Sequence, residues 1–194
     1  MTLPVTTKNA MLDGQAYDNA SLHTAFPGTT GANEVTGGAP AYARKAITVN
    51  AASGGSRQLN AAVTFDVPAT TVKWIGYWSA GVFVCTAPNG GATPKNFMAI
   101  PSTDTVYSTA HGFTDGTKIV FFNGTPPGGL TEGTTYFTRD GATDTFKVAA
   151  TLGGAAIDLT TASSFGCVVC AITEDVYASQ GTHQLSTTTV TIPD

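Results

Sequence analysis

Charge is scarce in this chain. Only 11% of its 194 residues are Asp, Glu, Lys or Arg, against about a quarter in an ordinary globular protein. The net charge is −4, and the basic residues form no cluster, which excludes the phosphate-neutralising surface that nucleic-acid binding needs. No apolar run reaches the roughly 18 residues of a membrane-spanning helix, so no membrane partner is expected. The first residues, MTLPVTTKNAMLDG, lack the charged and apolar regions of a signal peptide. Synthesis in the cytoplasm without export is therefore expected, and the glycosylation-like triplets at Asn19 and Asn123 carry no meaning.

Cysteine and histidine are nearly as rare. Cys85, Cys167 and Cys170 are an odd, sparse set, unlike a disulfide scaffold. Cys167 and Cys170 have CxxC spacing, but their flanks read as a strand. Positions i and i+3 of a strand lie ~10 Å apart on opposite faces, beyond the ~7 Å limit for a disulfide. His23, His111 and His183 are scattered, with no HExxH pattern. His111, in AHGF ahead of a turn, reads as a hydrogen-bonding loop histidine. Asp140 and Asp144 flank a hairpin and are expected to bond its backbone, as are Asp13 and Asp18 around a helix end. There is no GxSxG elbow, no phosphate loop and no dinucleotide fingerprint, nor the paired acids that glycoside hydrolysis needs. No enzyme activity, cofactor or metal is expected.

What the chain does have is Thr, Ala and Gly, with hydrophobic residues at 42%. That is enough apolar material for a core. Thr suits the exposed face of a sheet, and the shortage of Lys and Glu leaves few devices against edge pairing. Edges or faces covered by neighbouring chains are the expectation. Residues 6–13 predict one short helix, capped by Thr6 or Thr7, with Ala10, Met11 and Leu12 as apolar contacts and Gly14 as its end. Residues 21–25 and 42–49 read as strands, separated by a long loop at 26–40. Leu59, Ala61, Val63, Phe65 and Val67 alternate with polar or small residues, a half-buried strand that Pro68 ends. Residues 71–86 predict a hairpin whose first strand is apolar on both faces. Such a strand is central between layers or carries a subunit interface. Trp74, Tyr77 and Trp78 on it are expected to pack in a core or interface. The competing reading is sugar stacking.

From 97 the rhythm changes. Strand candidates at 104–108, 117–122, 134–139, 144–150, 155–160 and 166–172 alternate with Asp115-Gly116, Asn123-Gly124, Asp140-Gly141 and Gly153-Gly154 turns. After 181 the Thr-rich strand style of the first part returns, with opposite parity at Leu185 and Val190 that predicts a bulge near Thr187–Thr188. The expected architecture is all-β. A discontinuous β-sandwich or barrel (1–96 plus 173–194) with one short N-terminal helix carries an inserted small β-domain (97–172).

The stretches TTKNAMLD, ASLHTAFPGTTGANEVTGG, AYARKAITVNAASGGSRQLNAAVTFDVPA, VKWIGYWS and GTHQLSTTTVTI resemble a family of small tailed-bacteriophage virion proteins, known as phage tail fibre or minor structural proteins. The resemblance covers most of 5–86 and 180–192. AHGFTDGTKIVFF, GGLTEGTTYFTR, DTFKVA and GGAAIDLT resemble a small β-module of phage tail and structural proteins. The resemblance implies a virion protein made in the bacterial host cytoplasm. Its first implication is a capsid decoration protein on the outer shell, bound to the major capsid protein and to copies of itself, as a homotrimer, and either stabilising the shell or displaying the insert. Its alternative is a minor tail or tail-fibre protein touching the host surface, with glycan as a possible contact. The residues nominated for an assembly interface are Phe26, Pro27, Thr30, Asn33, Glu34, Val35, Trp74, Tyr77 and Trp78. Those nominated for a projecting loop are Pro126, Pro127 and Leu130.

Overall fold

The computed structural model describes residues 3–186 and 189–192. The chain forms two compact units, one of 1–92 with 173–194 and one of 93–172. In the first lie helix α1 (Val5–Asp13) and strands β1 (Asn19–His23), β2 (Lys45–Ala46), β3 (Ser56–Gln58), β4 (Val63–Val67), β5 (Thr70–Val72), β6 (Trp74–Ser79) and β7 (Val82–Pro88). The second holds β8 (Met98–Ile100), β9 (Thr105–Tyr107), β10 (Lys118–Phe122), β11 (Tyr136–Arg139), β12 (Thr145–Ala149) and β13 (Val168–Ala171). The chain then returns to the first unit as β14 (Asp175–Tyr177), β15 (Gly181–Leu185) and β16 (Thr189–Thr191). The fold is all-β and sandwich-like, and no barrel closes among the described residues.

Helix α1 starts at Val5, two or three residues before a Thr6 or Thr7 cap would begin it. Pro4, with φ fixed at −54°, holds the N-cap position and no side chain caps the helix, so Thr6 and Thr7 fall inside the first turn. Gly14 ends it. Leu12 and Lys8 are buried, whereas Met11 and Ala10 face solvent. Arg57 Nη1 donates to the carbonyls of Leu12 and Gln15 at 2.9 and 2.7 Å, tying the helix end and the residue after its cap to β3.

The three strands after 173 pair in reverse order with three strands before 73: β14 with β5, β15 with β4 and β16 with β3. Together they make one interrupted antiparallel ribbon. The predicted single strand 59–67 is broken within it. Leu59 makes only an isolated bridge to Val49, the chain bends at Asn60–Ala61, and β4 begins at Val63. The predicted strand 42–49 shrinks to β2: Tyr42 N bonds back to Gly37 O, and its side chain packs against the core. Thr187–Thr188, where a bulge is expected, lie outside the described residues.

A four-stranded sheet, in the order β2-β1-β6-β7, faces this ribbon. Between them sit Ala20, Leu22, Ile75 and Tyr77 from the sheet and Phe65, Val67, Val72 and Leu185 from the ribbon, joined by Tyr17, Val35, Ile47 and Leu59. Fully burying one such aliphatic or aromatic side chain stabilises the fold by ~1.5–3 kcal/mol. The β6–β7 hairpin turns at Ala80–Gly81, with φ of 48° and 80°. Two positive φ values match the right-handed twist of the flanking strands, and Asp18 Oδ2 accepts from Ala80 N at 2.7 Å.

The second unit is a six-stranded sheet in the order β13-β10-β11-β12-β9-β8, around a core that includes Val106, Ile119, Phe121, Phe146, Val148 and Val169. Lys95 exchanges two backbone hydrogen bonds with Val169, so residues 93–96 go with this unit rather than with the first. Strand β8 is an addition to the predicted set. The predicted strand 155–160 is a correction, for it forms only the single bridge Ala149–Ala156. Asp140 does not bond its own turn but pairs with Arg139. Four carboxylates here accept from backbone N–H groups: Asp115 from Gly141 N, Asp144 from Ala110 N, Asp104 from Leu159 N and Glu132 from Gly124 N.

Candidate functional site

Strand β1 sets the geometry of the region nominated for assembly. It pairs with β6 so that Ser21 lies opposite Gly76 and His23 opposite Trp74. Alternate side chains enter the sandwich core. The others, Ser21, His23, Trp74 and Trp78, stand on the opposite face, and the loop after β1 folds back over them. Val35 N donates to Leu22 O, Thr24 N to Asn33 O and Ala32 N to Pro27 O. Phe26 meets Trp74 edge-on at 4.9 Å between ring centroids. At Gly31 a Cβ would come within 2.7 Å of the Trp78 ring, and at Gly76 within 2.5 Å of both Ser21 Oγ and His23 Nε2. Both glycines are set by close approach.

A chain of hydrogen bonds runs beneath this loop. Trp78 Nε1 donates to Ser21 Oγ at 2.7 Å, Ser21 Oγ lies 2.7 Å from His23 Nε2, and His23 Nδ1 lies 2.7 Å from the Ala32 carbonyl. A carbonyl only accepts, so Nδ1 carries the proton and Nε2 accepts from the Ser21 hydroxyl. Every polar atom in the relay is satisfied and the imidazole is neutral. Burial pushes its pKa down, and Arg44 adds to this, while the Ala32 carbonyl and Glu34 oppose it.

At the loop's outer side Glu34 takes Arg44 in a two-pronged pair, with Nη2–Oε2 at 2.7 Å and Nε–Oε1 at 2.9 Å. The Arg44 guanidinium also lies 3.2 Å over the Trp78 ring, a stacking that its planar, weakly hydrated head favours. Tyr42 hydroxyl accepts from Leu22 N at 2.8 Å and donates to Glu34 Oε1 at 3.3 Å. Burial raises its pKa.

Most of the nominated interface is thus interior. Trp74, Tyr77, Trp78 and Val35 are buried, as is Pro27, and Phe26 and Glu34 are half-buried. Of the nine residues only Thr30 and Asn33 are exposed, and Asn33 is held in place by its own bond to Phe26 O. The two-faced apolar strand is central, sealed by a loop of its own chain, so neither an assembly surface nor a sugar platform remains at the tryptophans. The sequence missed Ser21, His23, Tyr42 and Arg44 as partners. Alternating Ser and His on a short buried strand was the available signal.

The nominated projecting loop is corrected in the same way. Pro126 and Pro127 are buried and Leu130 packs on the second unit's core. The segment after Leu159 ties the corner down: Gly128 N donates to Thr161 Oγ1, Thr160 N to Gly128 O, and Thr125 N to Ser164 Oγ.

The remaining titratable groups hold structural posts. His111 Nδ1 accepts from Phe113 N at 2.9 Å and its Nε2 faces Thr145 O, tying the loop to β12. His183 faces Tyr177 hydroxyl at 3.0 Å and Asp175 at 3.6 Å, and its buried Nε2 has no hydrogen-bond partner. Burial pushes its pKa down, against the pull of Asp175. The three thiols are free, and burial raises Cys85 and Cys170 to about 12 and Cys167 to about 11. Among the described residues no group of three or more His, Cys, Asp or Glu could hold a metal ion. A cleft of about 360 Å³ is lined by Asn50, Ala51, Ser53, Ser56 and Gln58, a polar set without a titratable group.

No curated protein and no solved structure matches the chain. A family model described as podophage GP4 fiber I protein gp80 matches residues 6–108. The match takes in α1 to β7, the closed polar relay and the loop over it, and continues into β8 and β9 of the second unit. It spans more than half of the chain, which therefore belongs to the podophage GP4 fiber I protein gp80 family and is a structural protein of the bacteriophage virion.

Proposed function

We propose that this protein is a fibre component of the virion, acting through shape and chain-to-chain packing rather than through side-chain chemistry. The observation that carries the reading is how the family stretch uses its polar groups. Ser21, His23, Glu34, Tyr42, Arg44 and Trp78 satisfy one another within one small region, so their chemistry is spent on holding a loop against a sheet. The family's fibre description supports a fibre over the capsid shell, and for that reason fibre stands ahead of head decoration here.

The test is location. Purified particles imaged by cryo-electron microscopy, with a gold-labelled antibody against the chain, should carry label on a fibre. Label confined to the capsid shell would make the protein a head decoration and overturn the fibre reading.

A further inference from the structure

The loop 24–44 closes over Ser21 and Trp78, and one of its fastenings runs through a titratable ring. His23 ends β1 beneath it and is fully buried. Its Nδ1 holds the loop at the Ala32 carbonyl, and its Nε2 reaches β6 through Ser21 and Trp78. The backbone fastens the same stretch with Thr24 N to Asn33 O and Val35 N to Leu22 O. Gly28 and Gly31, with φ of 60° and 76°, supply the left-handed turns that let the chain double back.

The relay is complete only while the imidazole is neutral. The Ser21 hydroxyl has one proton, and it goes to Nε2. A proton added at Nε2 makes that nitrogen a second donor aimed at Ser21 Oγ, which already accepts from Trp78 Nε1. Oγ has lone pairs for both, but its own proton then loses its acceptor in a buried place. The surroundings do not answer the charge either. From β6 His23 meets Gly76, and from β7 it meets Phe83 edge-on with ring centroids 6.2 Å apart. From the loop it meets Glu34, with which it forms a backbone bridge, and Arg44 lies beyond. Burial acts most strongly against the imidazolium and Arg44 adds to it, while the Ala32 carbonyl and Glu34 favour it. Glu34 is already held two-pronged by Arg44.

We infer that this loop is an acid-released strap: protonation of His23 detaches residues 24–35 from β1 and β6 while the rest of the first unit stays folded. A buried histidine biases a two-state element in this way whenever one state returns its ring to water. Here the states are the closed loop and one in which Trp78 meets solvent. The sign follows from linkage. With the ring's free value at about 6.5, closure is favoured in full above that pH and is lost as pH falls below it. At the far end Gln180 accepts from Ala39 N and donates to Pro40 O. That clasp has no titratable group, so the strap stays tethered and closes again when the pH returns. The inference stands whether the particle carries this chain on a fibre or on the shell.

Amide hydrogen exchange on the full chain at pH 7.5 and 5.0 tests the release, each rate being divided by that of an unstructured chain at the same pH. Protection at Thr24 and Val35 should fall about five- to thirtyfold at pH 5.0, the linkage of one histidine over about 1.5 pH units. Both amides should remain less protected than those of β4. Quenching of tryptophan emission by acrylamide should rise with the same midpoint as His23 protonation followed by NMR. His23→Asn keeps a donor for the Ala32 carbonyl and takes no charge, so its Thr24 and Val35 protection should be equal at the two pH values. If His23→Asn fails to fold, agreement of the two midpoints in the parent chain decides alone. Unchanged protection of Thr24 and Val35 at pH 5.0 overturns the inference. So does a His23→Asn chain that keeps the parent's pH dependence, or a quenching midpoint that departs from that of His23. Equal protection of Thr24, Val35 and the β4 amides would mean that the loop opens only with the whole unit, and overturns it as well.

Discussion

The relay beneath the β1–β6 face gives a sharp energetic prediction. Replacing Ser21 by Ala removes one hydroxyl and strands two buried partners at once: the Trp78 indole N–H loses its acceptor and His23 Nε2 loses its donor. Leaving a buried polar group unsatisfied costs about 1–3 kcal/mol, so the pair should cost about 2–6 kcal/mol. Ser21 is fully buried and Trp78 is 7% exposed, so little bulk water reaches either group. The alanine also leaves a gap smaller than a water molecule, so rescue by solvent is limited. Both tryptophans of the chain are Trp74 and Trp78, in the first unit, so their emission reports that unit alone. With a urea slope of about 1.5 kcal/mol/M, a loss of about 3 kcal/mol lowers the midpoint by about 2 M. A drop below about 0.5 M, with the slope unchanged, would show that the relay contributes little and would refute the claim that the loop is fastened through it.

Gly76→Ala places a methyl 2.5 Å from Ser21 Oγ and His23 Nε2, both already held by the relay, so a loss of about 3 kcal/mol is expected from overpacking, read by the same urea melts. His23 and His183 both have pKa values lowered in the folded state, mainly by burial. Their contribution is whole above the unfolded value of about 6.5 and is lost as pH falls through the window below it, at up to about 1.4 kcal/mol per pH unit for each histidine. Stability measured at pH 7.5 and again at 5.5 should fall, and a flat profile would remove desolvation as the dominant cause. The thiols of Cys85, Cys167 and Cys170, raised to about 11–12 by burial, should resist a thiol reagent at pH 8 in the native protein and react within minutes in urea. One fast native thiol would contradict the burial.

Turn chemistry and periodicity carried the sequence reading of the fold. The β6–β7 hairpin, the strand end at Pro68 and most strands between 104 and 172 follow from period-two patterning and from Gly or Asn at turns. Two errors share a cause. Residues 59–67 and 155–160 have the right alternation, but strand formation also needs a partner in register, and Ala61 and Asp158 face none. The candidate site was harder. Composition flagged Trp74, Tyr77 and Trp78 as one cluster, and a two-faced apolar strand is equally consistent with an interface. What resolves it is a loop of the same chain lying over the strand, fixed by Gly31 and Arg44, and no local pattern announces that a loop will return to cover the strand it left.

The second unit's effect on the first can be argued from its two ends. Thr173 N donates to Asn89 O at 2.8 Å, and Asn89 Nδ2 reaches Thr173 O at 3.3 Å. On the other side Lys95 and Val169 exchange a pair of backbone bonds. The chain thus leaves and rejoins each unit at adjacent points, and a folded second unit closes the gap like a short turn. Once unfolded, residues 93–172 become a loop of about eighty residues in place of one of about four, which raises the closure cost by roughly 2–3 kcal/mol. Replacing 93–172 by a Gly-containing turn of about four residues should therefore leave a first unit that folds, with tryptophan emission like the parent's. It should be at least as resistant to urea as the full chain under conditions that unfold the second unit first. A turn-closed first unit that cannot hold β14 and β15 against β5 and β4, seen as lost exchange protection along 63–72 and 175–185, would mean that the ribbon depends on residues 93–172 for more than proximity of its ends.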